Sequence, residues 1–377
     1  MARSWARRLA PAAAFQFCFI GSIAMLKPAT NALVLSRFQT SAMPWLYLTA
    51  SLLTGALAIV GARFGTRRSP AWLALVGGVA SFGFLAAVRL EVPFTALVAY
   101  LFAEAFATQV SLSFWGAVGD TFDAREARRA FTWINGVGMS GAIAGGFGAQ
   151  LAARTAGAPA LLFGGGVLLL AGGLAFRFHQ NEDTASARAS RASVASVRTV
   201  LDLPYASLLA LLVLGFSLIQ QLTDFVFRQR AVERLGEADM ADVFASHQLW
   251  TGVFCVVFQF LAAESLLKRL GILRYVALVP AFVAVLTVAT AVWPGVWGAW
   301  ALKLFESAAS WSLLPVAVQL LYAPLPDELR DGVRRTIDGL LRKAGMGIAG
   351  VVLIAVSASV GLSGVLVPGT QPRLRVT

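Results

Sequence analysis

The sequence predicts an all-α polytopic membrane protein built from two repeated helical halves, and three observations lead there. The mean hydropathy of the 377 residues is +0.73, and only 13% of them are charged, about half the share typical of soluble domains. Apolar stretches of roughly 20 residues, the length that crosses a hydrocarbon core, recur along the whole chain. One long pattern also occurs twice, as LFAEAFATQVSLSFWGAVGDTFDAREARRAFTWINGVGMSGAIAGG at 101–146 and KLFESAASWSLLPVAVQLLYAPLPDELRDGVRRTIDGLLRKAGMGIAGVV at 303–352. Each copy starts as an apolar helix with an internal glutamate (Glu104, Glu306). It continues through a charged loop with an Arg pair (Arg128-Arg129, Arg334-Arg335) into a Gly-rich helix.

About eleven spans are expected, near 11–35, 44–63, 69–88, 92–119, 130–153, 157–177, 203–227, 243–266, 271–293, 295–323 and 341–366. The basic start ARSWARRLAPAAAF leads into a full apolar span with no clear cleavage site, so it reads as a first helix and not as a removed signal peptide. Residues 180–202 form the only long polar stretch and read as a cytoplasmic linker. The expected division is therefore a six-helix half at 1–179, the linker, a second half of about five helices at 203–366, and a tail at 367–377. The mixed-charge segment near 230–242 predicts a short amphipathic helix in an outside loop. After the last apolar stretch only VPGTQPRLRVT remains, so a twelfth span is expected to be missing and the C-terminus to lie outside.

A formal net charge of +12 invites a nucleic-acid partner, but its distribution argues against one. With the N-terminus placed in the cytoplasm, 21 of the 31 Lys and Arg fall in inside segments and eight in outside segments. Lys27 and Lys303 fall within spans. That asymmetry is the positive-inside pattern, so the basic charge reads as a topology signal.

Six ionisable residues sit inside predicted spans: Lys27, Glu104, Asp224, Glu264, Lys303 and Glu306. Each costs at least a few kcal/mol unless it faces a cavity or a partner. Several share a face with polar neighbours at helical spacing: Lys27, Thr30 and Asn31; Glu104, Thr108 and Ser111; Gln220, Asp224 and Arg228; Lys303, Glu306, Ser307 and Ser310. These fall on spans one, four, seven and ten, the cavity-lining helices of a major-facilitator arrangement. Lys27 and Lys303 are the candidates for holding an anionic substrate, with Arg228 and Asn31 beside them. Glu104 and Glu306 either hold those lysines in the absence of substrate or carry a coupling proton, and Asp224 belongs to the same candidate substrate site. The alternative is that the same charges form structural ion pairs between helices. Glu264 reads as a helix-end charge.

The duplicated loops carry Asp120, Asp123, Arg125, Glu126, Arg128 and Arg129 in one copy. The other copy carries Asp327, Glu328, Arg330, Asp331, Arg334, Arg335, Asp338, Arg342 and Lys343. Such clusters suit a gate that locks and opens as two halves rock, or simply solvated loop charge. The Gly-rich helices read as close-packing surfaces. Gly141 and Gly145 lack the strand and the Lys-Ser/Thr of a phosphate loop, so no enzyme activity and no cofactor are expected. Cys18 and Cys255 both lie in spans, which excludes a disulfide framework or metal motif. His179 and His247 stand alone and read as interfacial.

LKPATNALVLSRFQTSAMPWLY at 26–47 resembles the opening of the ATP/ADP translocase family, the nucleotide transporters of plastids and intracellular bacteria together with their bacterial relatives. SFWGAVGDTFDAREARRAF (113–131), TDFVFRQRA (223–231) and YAPLPDELRDGVRRTIDGLLRKAG (322–345) resemble later segments of the same family, in the right order. Thr30-Asn31 stands where relatives often have a charged pair. The resemblance implies a major-facilitator-like fold and exchange of nucleotides or similar phosphorylated anions. It places Lys27, Glu104 and Lys303 where the family needs membrane charges for substrate.

The expectation is an inner-membrane, multi-pass secondary transporter of a bacterial cell. It is expected to be monomeric, with its N-terminus in the cytoplasm and lipid and a nucleotide as partners. Proton-coupled export of another organic solute and a non-transporting membrane partner protein are the alternatives.

Overall fold

Helices begin and end where the sequence changes backbone preference. The computed structural model describes residues 2–38, 42–63, 69–122, 124–180, 197–261, 263–292, 295–322 and 324–359. The first half holds α1 (Ala2–Arg37), α2 (Met43–Arg63), α3 (Pro70–Arg89), α4 (Thr95–Thr121), α5 (Ala124–Ala156) and α6 (Ala158–Gln180). Pro70 opens α3 at its first turn, where a missing N–H costs nothing. Gly157, with φ of 72°, separates α5 from α6 in a conformation that a side chain would strain.

The short α7 (Val197–Asp202) precedes the second half, and the linker residues before it lie outside the described part. The second half holds α8 (Pro204–Arg234), α9 (Glu237–Leu261), α10 (Ala263–Val292), α11 (Val296–Ala308) and α12 (Leu314–Tyr322). It continues through α13 (Asp327–Arg335) to α14 (Arg342–Ser359). A π-helical turn at Ala309–Leu313 joins α11 to α12, and a second at Thr336–Leu341 joins α13 to α14. No strand occurs among the described residues.

Eight segments among the described residues are long and apolar enough to cross a membrane, and one of them, Trp133–Arg177, contains both α5 and α6. Their outward faces carry large apolar side chains such as Val79, Leu208 and Val285. Such a surface suits lipid, not water. The protein is a multi-pass, all-helical membrane bundle.

Three sequence expectations change. The 230–242 segment forms no separate helix, because α8 runs to Arg234 and α9 starts at Glu237, leaving a two-residue break at Leu235-Gly236. The first charged loop is largely helical: α4 reaches Thr121 and α5 begins at Ala124. Glu264 belongs to the first turn of α10, not to the end of α9. The α10 helix itself breaks at Gly271, where φ is 72°. The 367–377 tail lies outside the described residues.

The Gly-rich α5 packs against α1 at backbone distance. A Cβ on Gly141 would lie 2.2 Å from the Phe17 carbonyl oxygen, and one on Gly145 would lie 2.3 Å from that of Gly21. Gly145→Ala is therefore expected to destabilise the purified protein by about 1–3 kcal/mol, the usual cost of overpacking. Gly136→Ala on the same helix meets nothing within 4 Å and should leave thermal unfolding unchanged or slightly raised. Equal melting temperatures for the two variants would refute close packing as the role of Gly145.

The halves meet through α5 with α9 and through α14 with α2, with α1 also touching α9. The end of the bundle where α1 stops and α2 starts is called distal below. Toward that end, Phe227 of α8 packs edge-on to Phe244 of α9, with ring centroids 5.3 Å apart. Both belong to the core cluster that also contains Tyr47 and Tyr100 of the first half. Arg154 of α5 pairs with Asp242 of α9 at 3.1 Å.

Candidate functional site

The predicted substrate charges gather between the halves in two ionic groups. In the first half, Lys27 of α1 places Nζ 3.0 Å from Oε1 of Glu104 on α4. Lys27 sits one residue before Pro28, and Thr30 turns its hydroxyl back to the Leu26 carbonyl at 3.0 Å. Thr30 thus serves its own helix. Asn31 follows it on α1 and is half-buried.

In the second half, α8 and α11 interleave their charges. Arg228 brings Nε to 2.7 Å from Asp224 Oδ2, off the N–H direction of a hydrogen bond. Lys303 Nζ lies 3.8 Å from Asp224 Oδ1 and 2.8 Å from Glu306 Oε2, and donates to the Gln220 carbonyl at 3.3 Å. Glu306 is only 1% exposed. Its Oε1 accepts from Ser310 at 2.5 Å, and its Oε2 also accepts from Ser307 at 3.4 Å. A carboxylate this well supplied with donors is fixed in place, which in turn fixes Lys303.

Tyrosines of the first half close over this group. Tyr47 on α2 donates to Asp224 Oδ2 at 2.9 Å, and Arg228 donates from Nη1 to the Tyr100 hydroxyl on α4 at 3.4 Å. The Arg228 guanidinium lies 5.6 Å from the Tyr47 ring centroid and 5.5 Å from that of Tyr100, within cation–π range. Arg228 is 5% exposed. The tyrosines carried no signal in sequence, because a lone aromatic in an apolar span reads as core. His247 was read as interfacial and is instead buried on α9, hydrogen-bonded to the Lys303 backbone with its Nε2 unpartnered. Thr251, one turn along the same helix, also has an unpartnered buried hydroxyl. That polar i, i+4 pair was the available clue.

The charges share one depth. Lys27, Glu104, Asp224 and Lys303 each lie about seven to ten residues from the distal end of their helix, or roughly 10–15 Å at 1.5 Å per residue. That is close to the middle of a hydrocarbon core about 30 Å thick.

The predicted gating residues divide differently. Asp338 lies 3.9 Å from Arg334 and 3.5 Å from Arg342, each four residues away along the same helical run. Arg330 donates to the Tyr322 carbonyl at 3.2 Å and to that of Leu325 at 2.8 Å, fastening the turn between α12 and α13. All these contacts stay within the second half. The side chains of Asp120, Arg125, Arg128, Arg129, Glu264 and His179 lie outside the described residues. No group of three or more His, Cys, Asp or Glu among the described residues is placed to hold a metal ion.

Residues 168–321 match the model of the TLC ATP/ADP transporter family, a stretch that takes in Asp224, Arg228, Lys303 and Glu306. No curated protein matches the sequence. Among solved structures, the nucleoside transporter NupG is 14% identical with a TM-score of 0.65, covering 95% of this chain and 92% of its own. A POT family transporter in complex with 5-aminolevulinic acid is 13% identical with a TM-score of 0.61, covering 96% and 92%. A bacterial homologue of the iron transporter ferroportin, in an inward-facing state, is 14% identical with a TM-score of 0.60, covering 98% and 92%. Identities this low show the fold alone, and that fold is major-facilitator-like. The chain is a multi-pass membrane protein with the major-facilitator-like fold of transporters, and its residues 168–321 are similar to the TLC ATP/ADP transporter family.

Proposed function

We propose that the protein exchanges nucleotides or similar phosphorylated anions, ATP against ADP being the favoured pair, by alternating access of a site between its halves. The observation that carries this reading is the lysine at mid-membrane depth in each half, neutralised by its own carboxylates: Lys27 by Glu104, Lys303 by Glu306 and Asp224. A buried charge persists only with a partner, and a polyphosphate arriving at the site competes with those carboxylates for the same ammonium groups. Substrate binding then exchanges internal ion pairs for substrate pairs, and the empty carrier, its own pairs closed and Asp224 and Arg228 bonded to Tyr47 and Tyr100 of the other half, is held from reorienting. This is the behaviour that strict exchange requires. Asn31 and Arg228 border the same space, and Arg330, Arg334 and Asp338 with Asp120, Arg125, Arg128 and Arg129 serve the gate at the opposite end. The positive-inside pattern supports an inner (plasma) membrane location with the N-terminus in the cytoplasm. The carrier acts as a monomer and hydrolyses no ATP.

Purified protein in liposomes should take up radiolabelled ATP when ADP is preloaded inside and lose that uptake when it is not. Uptake that follows a pH gradient without internal ADP would replace exchange by proton coupling through Glu104 or Glu306. No uptake in either setting, from folded protein, would remove nucleotides as cargo.

A further inference from the structure

Lys343 was grouped by sequence with the charged loop residues of the second half, and the structure carries it elsewhere. It is the second residue of α14, whose start is pinned from both sides. Ser217 of α8 donates to the Arg342 carbonyl at 2.6 Å, and Ser51 of α2 donates to the Lys343 carbonyl at 2.6 Å. The second bond crosses from one half to the other. Glycines allow the approach: a Cβ on Gly345 would lie 2.6 Å from Ser217 Cβ, one on Gly347 2.9 Å from Ser51 Oγ, and one on Gly350 2.6 Å from the Pro44 carbonyl oxygen. Ser51 is eight residues into α2 from its distal end, about 12 Å. Ser217 is seven residues proximal of Asp224 on α8 and Ser51 is one turn proximal of Tyr47 on α2, so Lys343 leaves its helix on the proximal side of Lys27 and Glu104. Its half-buried ammonium lies in electrostatic range of both.

We infer that Lys27 of the first half and Lys343 of the second form a single phosphate-binding cradle in which Glu104 occupies the anion position until substrate displaces it. This rests on the nucleotide reading above. Among the described residues Glu104 is the carboxylate that feels both lysines, with Lys27 at 3.0 Å and the Lys343 ammonium the next cation acting on it. The neighbouring group of Arg228, Asp224, Lys303 and Glu306 is already balanced, two cations against two carboxylates. Among the described residues two ammonium groups meet one carboxylate around Glu104, a surplus of one positive charge within the membrane. A surplus cation there is costly unless an anion joins it. The terminal phosphates of a nucleoside di- or triphosphate supply that anion and accept from both lysines at once. Because the lysines belong to different halves, a phosphate held between them ties the halves together, whereas Glu104 is anchored to the first half alone.

The test is equilibrium binding of radiolabelled ATP to purified protein in lipid nanodiscs. Lys343→Gln should lower ATP affinity at least about tenfold, while Lys343→Arg stays within about threefold of wild type. Glu104→Gln added to Lys343→Gln should recover much of the lost affinity, because the competing carboxylate is gone; a purely structural role for Lys343 gives no such recovery. A measurement that needs no variant accompanies these. Amine-reactive labelling of Lys343 in the wild-type protein, read by mass spectrometry, should be suppressed by saturating ATP. Unchanged ATP affinity in Lys343→Gln, or labelling indifferent to ATP in a wild-type protein that binds it, overturns the cradle and leaves the nucleotide reading intact. A wild-type protein that binds neither ATP nor ADP overturns the nucleotide reading, and the cradle falls with it.

Discussion

Lys27→Ala is expected to abolish nucleotide uptake and to lower stability in the same stroke. The substitution removes the ammonium 3.0 Å from Glu104 and leaves a 9% exposed carboxylate with its nearest counter-charge gone. Breaking a buried pair from one side costs about 3–5 kcal/mol, because the remaining charge must be dehydrated without compensation. Lost uptake alone would therefore not separate a missing substrate ligand from a damaged fold. Lys27→Ala combined with Glu104→Gln makes the separation, since the pair then leaves together and no uncompensated charge remains. The double variant should regain most of its melting temperature in detergent and still take up no ATP. Recovery of uptake in that variant would mean that Lys27 serves only to neutralise Glu104, and wild-type uptake in Lys27→Ala would remove it from the site. Lys303→Ala should behave in parallel, with Glu306 and Asp224 as the carboxylates left behind.

Arg228→Met is the second large effect, and it should appear first in the distal closure of the halves. Arg228 neutralises Asp224, contacts the Tyr100 hydroxyl and lies in reach of two tyrosine faces from the other half. Its removal leaves Asp224 with Lys303 at 3.8 Å and the Tyr47 hydroxyl at 2.9 Å. The expected loss is again about 3–5 kcal/mol for a one-sided break of a buried pair. Asp224→Asn on the same background should return part of it. Cysteines at 154 and 242, where Arg154 and Asp242 pair across the halves, provide a reporter once Cys18 and Cys255 are replaced. Cross-linking by a short thiol reagent should fall when Arg228 is replaced. Full cross-linking together with an unchanged melting temperature would show that Arg228 does not hold the halves together.

Much of this was legible in the chain because membranes leave few options. An apolar stretch of the right length must be helical, since no water is present to satisfy its backbone. An ionisable residue within it must find a partner or a cavity, so Lys27, Glu104, Asp224, Lys303 and Glu306 could be singled out singly. Their pairing could not. Helical spacing shows that Asp224 and Arg228 share a face, but not that Tyr47 and Tyr100 from the other half close over that face. Helix ends were also mislocated, because hydropathy reports where lipid stops and not where the helix stops: α5 begins six residues before its predicted apolar span, and α8 continues seven beyond its own. Lys343 was misjudged for the same reason. It borders a charged segment in sequence, while its helix packs it between α2 and α8 within electrostatic range of Glu104.

The sequence repeat has one more consequence. In each half the Gly-rich helix of the repeat crosses to the opposite half, α5 onto α9 and α14 onto α2. At both crossings glycine brings backbone against backbone or short side chains: Gly146 faces Leu249, Gly252 faces Ile143, and Gly350 faces Pro44. Surfaces of this kind have few interlocked side chains to pull apart when one helix turns on the other. The two crossings are counterparts of each other in the sequence repeat, so under the proposed alternating access they form a matched pair of knuckles on which one half can tilt against the other.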